Sequence, residues 1–201
     1  MRRDGRAVII EAALASVEER GWEATSMQAV RERAGVSNGA LFHHFPTRAD
    51  LASAVVVAGL ADHRAVLLQA LHAAEAAEDA VRRVVVRHLR WIEDNPQLAR
   101  LFLFSPPELL QSMLDEAALD AKRGFAAEID TWLRDHGWPG TPELAAVVAL
   151  WTGPAHEYAR GWLASPRSSL SPVADLLAAG AWRAVQPVLG PPAARSTGSL
   201  P

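Results

Sequence analysis

The chain has 201 residues, half of them hydrophobic and 21% charged, so it is able to bury a core and is not a disordered polypeptide. It contains no cysteine, which excludes disulfides, thiolate metal sites and cysteine nucleophiles. The net charge is −3, and residues 1–50 carry seven arginines and seven acidic residues, which excludes nucleic-acid binding through bulk positive charge.

The first 45 residues predict three short helices. The first runs from about residue 5 to residue 20, because apolar side chains recur there at the spacing of one buried helical face: Ile10, Ala13, Leu14 and Val17. The second ends at Gly35, and Ser37 caps the third. Pro46 ends the third helix, whose Leu41 and Phe45 point inward.

The start of the second helix leaves two interpretations of Gln28 open. In Thr25-Ser26-Met27-Gln28, the Thr hydroxyl and the Gln side chain fit a capping box, in which each binds a free backbone amide. If Gln28 closes that box, it is not free to contact DNA.

A helix that ends in glycine, an apolar corner residue and a short Ser-capped helix together make a helix-turn-helix. In such a unit the second helix enters the major groove of DNA. Because Leu41 and Phe45 face inward, we expect Asn38, Ala40 and His43 to face outward. The same pattern also occurs in helical hairpins with a purely structural role.

From Thr47 onward the predicted helices lengthen, and no segment alternates with the period of a strand. Helical patterns cover approximately residues 47–73, 79–94, 96–104, 107–136, 142–164 and 171–188. The sequence therefore predicts an all-α protein with two domains. Residues 1–46 form a three-helix helix-turn-helix headpiece, and residues 47–201 form a larger helical bundle with a flexible tail over 190–201.

Two segments, residues 21–30 and 34–51, closely resemble the headpiece of the tetracycline-repressor (TetR) family, and the resemblance extends over about residues 6–55. It implies a transcriptional regulator that binds double-stranded operator DNA as a homodimer. The expected regulator is a repressor that a small apolar or amphipathic effector releases from a palindromic operator. In that family the last two long helices make the dimer interface, which corresponds here to about 142–164 and 171–188, where Ala178, Ala179, Gly180 and Ala181 permit close helix approach.

The resemblance also implies which residues contact DNA. Thr25 or Ser26 is expected to bind a phosphate, Gln28 a base edge or phosphate, and Arg48 a phosphate at the start of the fourth helix. The groove is expected to be lined by Ser37, Asn38, Gly39, Ala40 and His43. The family usually has Tyr where this chain has Phe42, which keeps the packing but lacks a hydroxyl for the phosphate, so we expect lower affinity.

Aromatic and polar side chains of the larger domain are candidates for an effector cavity, since such cavities are mostly apolar with a few polar groups. The candidate lining residues are Trp91, Phe102, Phe104, Met113, Trp132, Trp151, His156 and Tyr158. Most tryptophans of this domain are expected to belong to the core instead.

Two other functions compete with the regulator. Residues 35–39 match the G-x-S-x-G nucleophile elbow, which would make Ser37 the nucleophile of an esterase, but that motif needs a preceding strand. A helical interaction protein without DNA binding would agree with the neutral charge of residues 1–50. We expect no catalytic residue and no cofactor. A metal site is not expected either, because His156-Glu157 is not followed by a second histidine at position 160 and the chain has no cysteine.

The location expected from the sequence is cytoplasmic. The N-terminus has no apolar signal core, and no apolar run approaches the roughly 18 residues of a membrane helix.

Overall fold

The computed structural model describes residues 4–165 and 169–190, and this part of the chain contains ten α-helices and no strand. The helices are α1 (Gly5–Arg20), α2 (Met27–Ala34), α3 (Asn38–His44), α4 (Arg48–His72), α5 (Ala77–Asp94), α6 (Pro96–Phe104), α7 (Pro107–Ser112), α8 (Glu116–Asp135), α9 (Leu144–Ala164) and α10 (Ser171–Val185). A 3₁₀ turn, Gln186–Val188, follows α10. The all-α prediction is confirmed, and the predicted tail lies almost wholly outside the described residues.

The helices α1, α2 and α3 form the headpiece around a small apolar core. Val30 of α2 and Leu41 of α3 are buried in this core, and Phe45 is buried with them. The predicted inner face of α1 was partly wrong, because Ile10 and Leu14 are only partly buried. Since α1 packs on α2 and also on α4 and α6, its buried face is centred instead on Ile9, Ala12, Ala13, Ser16 and Val17.

The helix predicted over residues 107–136 is in fact two helices. α7 ends at Ser112, and Asp115 begins α8 by accepting a hydrogen bond from the backbone N–H of Ala118 at 2.8 Å. The apolar spacing continues through the break, so periodicity alone did not reveal the new cap. The last predicted helix is also shorter as an α-helix, since Pro187 lies in the 3₁₀ turn that follows Val185.

The larger bundle is built around α5, which lies between α4 and α10, while α9 packs on α5, α6 and α10. By length and composition α4 is the one helix in the described ranges that could cross a membrane, with a mean hydropathy of 1.6. A core helix passes the same test, and α4 buries Leu51, Val55 and Leu71 in the core. At Gly59 a side chain would meet Phe102 Cζ at 3.0 Å, so the glycine allows α4 and α6 to approach closely.

A carboxylate of the headpiece contacts the larger bundle at the start of α6. Glu18 of α1 accepts hydrogen bonds from the backbone N–H groups of Leu98 at 3.0 Å and Gln97 at 3.3 Å. Free amides at a helix N-terminus favour a negative charge. Burial raises the pKa of Glu18, and the two amide hydrogen bonds oppose that rise.

We expect Glu18→Gln to lower the free energy of unfolding by about 1 kcal/mol. The side-chain amide of the variant has one acceptor oxygen, so its NH₂ group faces one of the two backbone N–H groups. The variant also relieves the cost of burying a charge, which opposes part of this loss. Urea unfolding followed by circular dichroism measures this, with the exposed Glu23→Gln as the matched control. Equal stability of the two variants would show that the contact does not stabilise the fold.

Candidate nucleic-acid interface and ligand cavity

The turn between α2 and α3 has the geometry of a helix-turn-helix. Gly35 adopts the left-handed conformation (φ 65°, ψ 29°), and its N–H donates to the carbonyls of Arg31 and Glu32. Ser37 then caps α3, with its Oγ accepting from the N–H of Ala40 at 3.1 Å. Ser37 therefore lies between two helices and not after a strand, which removes the structural basis of the esterase hypothesis.

One face of α3 is open to solvent. Asn38, Gly39, Phe42 and His43 are exposed, whereas Leu41 is buried and Ala40 is partly buried. The expectation that Phe42 keeps a packing role was wrong, because 48% of its surface is exposed. Asn38 and Phe42 are four residues apart, as are Gly39 and His43, so these four positions share one helical face. The structure thus brings together most of the groove-lining residues predicted for α3.

The capping box predicted at Thr25 and Gln28 is absent from the start of α2. Thr25 is buried, and its hydroxyl donates to the carbonyl of Gly21 at 2.9 Å. Ser26 is the cap instead, accepting from the N–H of Ala29 at 3.1 Å. Gln28 is exposed and its Nε2 donates to Glu32 Oε1 at 2.9 Å. Of the two candidates for a phosphate contact, only Ser26 therefore reaches the surface.

Arg48 lies at the start of α4, beside the turn that precedes α2. Its Nη2 donates to the carbonyl of Trp22 at 2.7 Å, and its guanidinium lies 4.8 Å from the centre of the Trp22 ring. Thr47 and Asp50, which lie on either side of it in the chain, form a capping box. Because a guanidinium has five N–H donors, this contact orients Arg48 and leaves donors for a phosphate.

Arg31 is a residue of this surface that the sequence did not single out. Its Nη1 donates to Asn38 Oδ1 at 3.1 Å, which orients the Asn38 side chain on α3. The two residues are seven positions apart and on different helices, so no single helical period predicts the contact.

The neutral charge of residues 1–50 reflects internal pairing. Glu19 pairs with Arg33, Glu32 pairs with Arg31, and Asp4 and Asp50 cap helices. Among these groups Glu32 alone reaches the exposed face of α3, through Arg31 and its contact with Asn38, while Glu19, Asp4 and Asp50 are engaged elsewhere.

The larger bundle contains a cavity of about 190 Å³ between α4, α5, α8 and α9. Of the eight predicted lining residues, Trp151 and His156 line it. The other lining residues were missed: His63, Arg64, Leu67, Val84, His88, Phe125, Ile129, Val148 and Thr152. They come from four helices, so no local pattern in the sequence groups them.

The remaining predicted lining residues lie elsewhere. Trp91 and Phe102 stack on each other at 5.8 Å beside the cavity, and Trp132 packs on Trp151. Met113 lines a separate cleft next to the headpiece. Phe104 and Tyr158 are 48% and 47% exposed.

The placement of Tyr158 follows from the buried stripe of α9. That stripe repeats every four residues: Val147, Trp151, Ala155, Ala159 and Leu163. A spacing of four drifts around a helix of 3.6 residues per turn, so Tyr158, although seven residues after Trp151, falls outside the stripe.

Three histidines meet at one wall of the cavity. His63 Nε2 and His88 Nδ1 are 2.8 Å apart, and the rings of His88 and His156 meet edge to face at 4.5 Å. Burial lowers the pKa of His63 to about 4 and lowers the pKa of His88 and His156 as well. All three are therefore neutral at pH 7. In the described parts of the chain no group of His, Asp and Glu side chains is arranged to hold a metal ion.

Lowering the pH from 7.5 to 5 is expected to destabilise the fold by about 2 kcal/mol through His63 alone. The folded pKa of His63 lies below its ordinary value of 6.5, so the unfolded chain binds more protons between about pH 4 and 6.5. The contribution of His63 to the free energy of unfolding is then greatest above pH 6.5 and decreases as the pH falls. Urea unfolding at several pH values should show a shallower loss for His63→Gln than for the exposed control His43→Gln, and parallel losses would contradict the assignment.

Comparison with known proteins shows what the chain is similar to. The family model described as "Bacterial regulatory proteins, tetR family" matches residues 9–55. An HTH-type transcriptional repressor of Mycobacterium tuberculosis is 36% identical over 89 residues, which are 44% of this chain and 45% of the relative. The match thus spans less than half of that relative's length.

Two further proteins are similar over most of the chain. The HTH-type transcriptional regulator BetI of Burkholderia lata is 29% identical over 194 residues, covering 82% of this chain and 97% of its own. The crystal structure of the transcriptional regulator FadR from Bacillus subtilis in complex with stearoyl-CoA shares the fold, with a TM-score of 0.66 and 16% identity over 86% of this chain and 95% of that one. Residues 9–55 therefore match the helix-turn-helix segment of the TetR family of bacterial regulatory proteins, and the chain as a whole shares the fold of a solved transcriptional regulator.

Proposed function

We propose that the protein is a homodimeric transcriptional regulator that binds operator DNA through α3 and releases it when a small ligand enters the cavity. The observation that carries the proposal is the exposed face of α3 on a helix-turn-helix that the family model matches. A short helix held by an inner core and open on its other side is suited to the major groove. We place the end of the headpiece at residue 46, before the cap of α4.

In this proposal the exposed groups of the headpiece have two kinds of role. Asn38, Gly39 and His43 face the base edges, and Ala40 and Ser37 lie at the start of the helix near the groove wall. Ser26 and Arg48 bind phosphates on either side, and Gln28 contacts the DNA after exchanging its bond with Glu32. Phosphate contacts position the protein, while base contacts determine the sequence.

Dimerisation is proposed through α9 and α10, which leave apolar side chains at the surface of one subunit. Leu150 and Tyr158 of α9 and Leu176 of α10 are exposed, Leu176 by 68%. Nothing lies within 4 Å of the position a Cβ would take at Gly180, so a second helix has room to approach. Ala178 and Ala181, which we expected at this interface, are buried inside the subunit. A two-fold dimer would place its two α3 helices about 34–36 Å apart, one turn of DNA.

Ligand binding is proposed to act on the headpiece along α4. His63, Arg64 and Leu67 of α4 line the cavity, and Arg48 at the other end of the helix contacts the carbonyl of Trp22. The helix rises about 22 Å between positions 48 and 63. A small shift of α4 at the cavity therefore changes the position of α3, since both are held by the same headpiece core.

A second route runs through α6. The Trp91 ring lies 4.6 Å from that of His63 and stacks on Phe102 of α6, whose N-terminus binds Glu18 of the headpiece. Both routes begin at His63. Couplings between a ligand site and a second site are typically worth about 1–3 kcal/mol.

Fluorescence anisotropy with DNA from upstream of the gene tests the proposal at two salt concentrations and with competitor DNA. We expect saturable binding, and Arg48→Ala should weaken binding to all sequences and reduce the slope of log K against log salt by about one. Arg90→Ala, an exposed arginine of α5, is the matched control. If a random-sequence selection also enriches no DNA, the chain is a helical interaction protein instead.

The exposed ring of Phe42 makes a gain of affinity possible. We expect Phe42→Tyr to bind operator DNA about fivefold more tightly, because a phenol hydroxyl there adds a hydrogen bond to a phosphate. Phe42→Leu, which adds no hydroxyl, is the comparison variant. Unchanged affinity of Phe42→Tyr in the same titration would place position 42 away from the backbone of the DNA.

A further inference from the structure

The cavity holds polar groups that have no partner within the described part of the chain. His88 is only 2% exposed, and its Nε2 is buried without a hydrogen bond. Arg64 is half-buried at the cavity wall, and among the described residues no ion pair is found for it. A buried polar atom without a partner costs about 1–3 kcal/mol, so Nε2 of His88, a residue that lines the cavity, lacks a hydrogen-bond partner that a ligand would supply.

The other walls of the cavity are apolar. Phe125 and Ile129 of α8, Val84 of α5 and Val148 and Trp151 of α9 form most of the lining. Thr152 adds no free donor, because its hydroxyl donates to the carbonyl of Val148 at 3.0 Å. The polar groups are therefore concentrated where His63, Arg64 and His88 meet.

The volume of the cavity corresponds to about one ring. A cavity of about 150 Å³ in a protein core holds benzene, and pockets for drug-sized ligands measure about 300–1,000 Å³. At about 190 Å³, this cavity takes a six-membered ring with one small substituent. It is too small for an acyl chain with a nucleotide such as the one in the FadR complex.

We propose that the ligand is a monocyclic aromatic carboxylate, whose ring lies against Phe125 and Trp151 and whose carboxylate binds Arg64 and His88. This inference rests on the proposed function, since it names the ligand of the same cavity. A guanidinium pairs with a carboxylate through two parallel hydrogen bonds, and the partial burial of Arg64 makes that pairing stronger than in water.

The histidine pair supplies a further donor in one of its two tautomers. When His63 Nε2–H donates to His88 Nδ1, the hydrogen of the neutral His88 ring is on Nε2, the atom without a partner. A carboxylate oxygen would accept that hydrogen. The low pKa of both rings keeps them neutral, so Arg64 is the cation that selects a negative ligand.

Isothermal titration calorimetry of the full-length protein with benzoate and its neutral isostere benzamide tests the proposal. We expect benzoate to bind about tenfold or more tightly than benzamide. Arg64→Gln should weaken benzoate binding by about ten- to hundredfold and leave benzamide binding unchanged, and Arg64→Lys should restore part of the loss. Arg90→Gln, which removes an arginine remote from the cavity, should match the wild type.

Three results would overturn the proposal. Benzamide could bind as tightly as benzoate, octanoate could bind more tightly than benzoate, or Zn²⁺ could bind at the histidines while neither aromatic probe binds. Thermal unfolding shows whether each variant is folded. His156→Gln is a second variant that changes the cavity wall.

The titration does not depend on DNA, which separates this inference from the proposed function. Benzoate binding without operator binding would leave the ligand assignment standing and remove the regulator. Operator binding without benzoate binding would leave the proposed function standing and remove the ligand assignment.

Discussion

The continuity of α4 is the constraint on which the rest of the structure depends. This single helix of 25 residues contributes Leu51 and Val55 to the core beside α1 and Leu67 and Leu71 to the core of the larger bundle. The capping box of Thr47 and Asp50 fixes its beginning, and Gly59 allows α6 to lie close to its middle. The headpiece and the wall of the cavity therefore share one continuous helix.

Local features of the fold were accessible from the sequence because local interactions determine them. Gly35 and Ser37 each act on the backbone within a few residues, so the turn of the helix-turn-helix was predicted correctly. The error at Thr25 shows the limit of that approach, since Thr25 and Ser26 are both good caps. The choice between them depends on the Gly21 carbonyl, which accepts the Thr25 hydroxyl in the folded chain.

The cavity was not accessible in the same way. Its wall combines residues of four helices, and His63 and His88 are 25 positions apart although their nitrogens are 2.8 Å apart. Single aromatic residues in the sequence do not indicate on which side of a helix a cavity will form. Phe104 and Tyr158 were expected inside and lie at the surface, whereas Arg64 and the histidine pair carry most of the polar character of the cavity. Buried neutral histidines also weaken the fold in acid, a cost that natural proteins accept mainly at functional sites.

The contact between Glu18 and α6 has a consequence for protein engineering. The residue before α6, Asn95, makes no side-chain cap for the helix, because its amide donates to the carbonyl of Trp91. The cap comes from a residue about 80 positions earlier, in the other part of the molecule. Headpieces are therefore not freely interchangeable in this scaffold. A chimera that joins this larger bundle to a foreign headpiece must carry an acidic side chain at the position of Glu18, or the first turn of α6 will lack its cap.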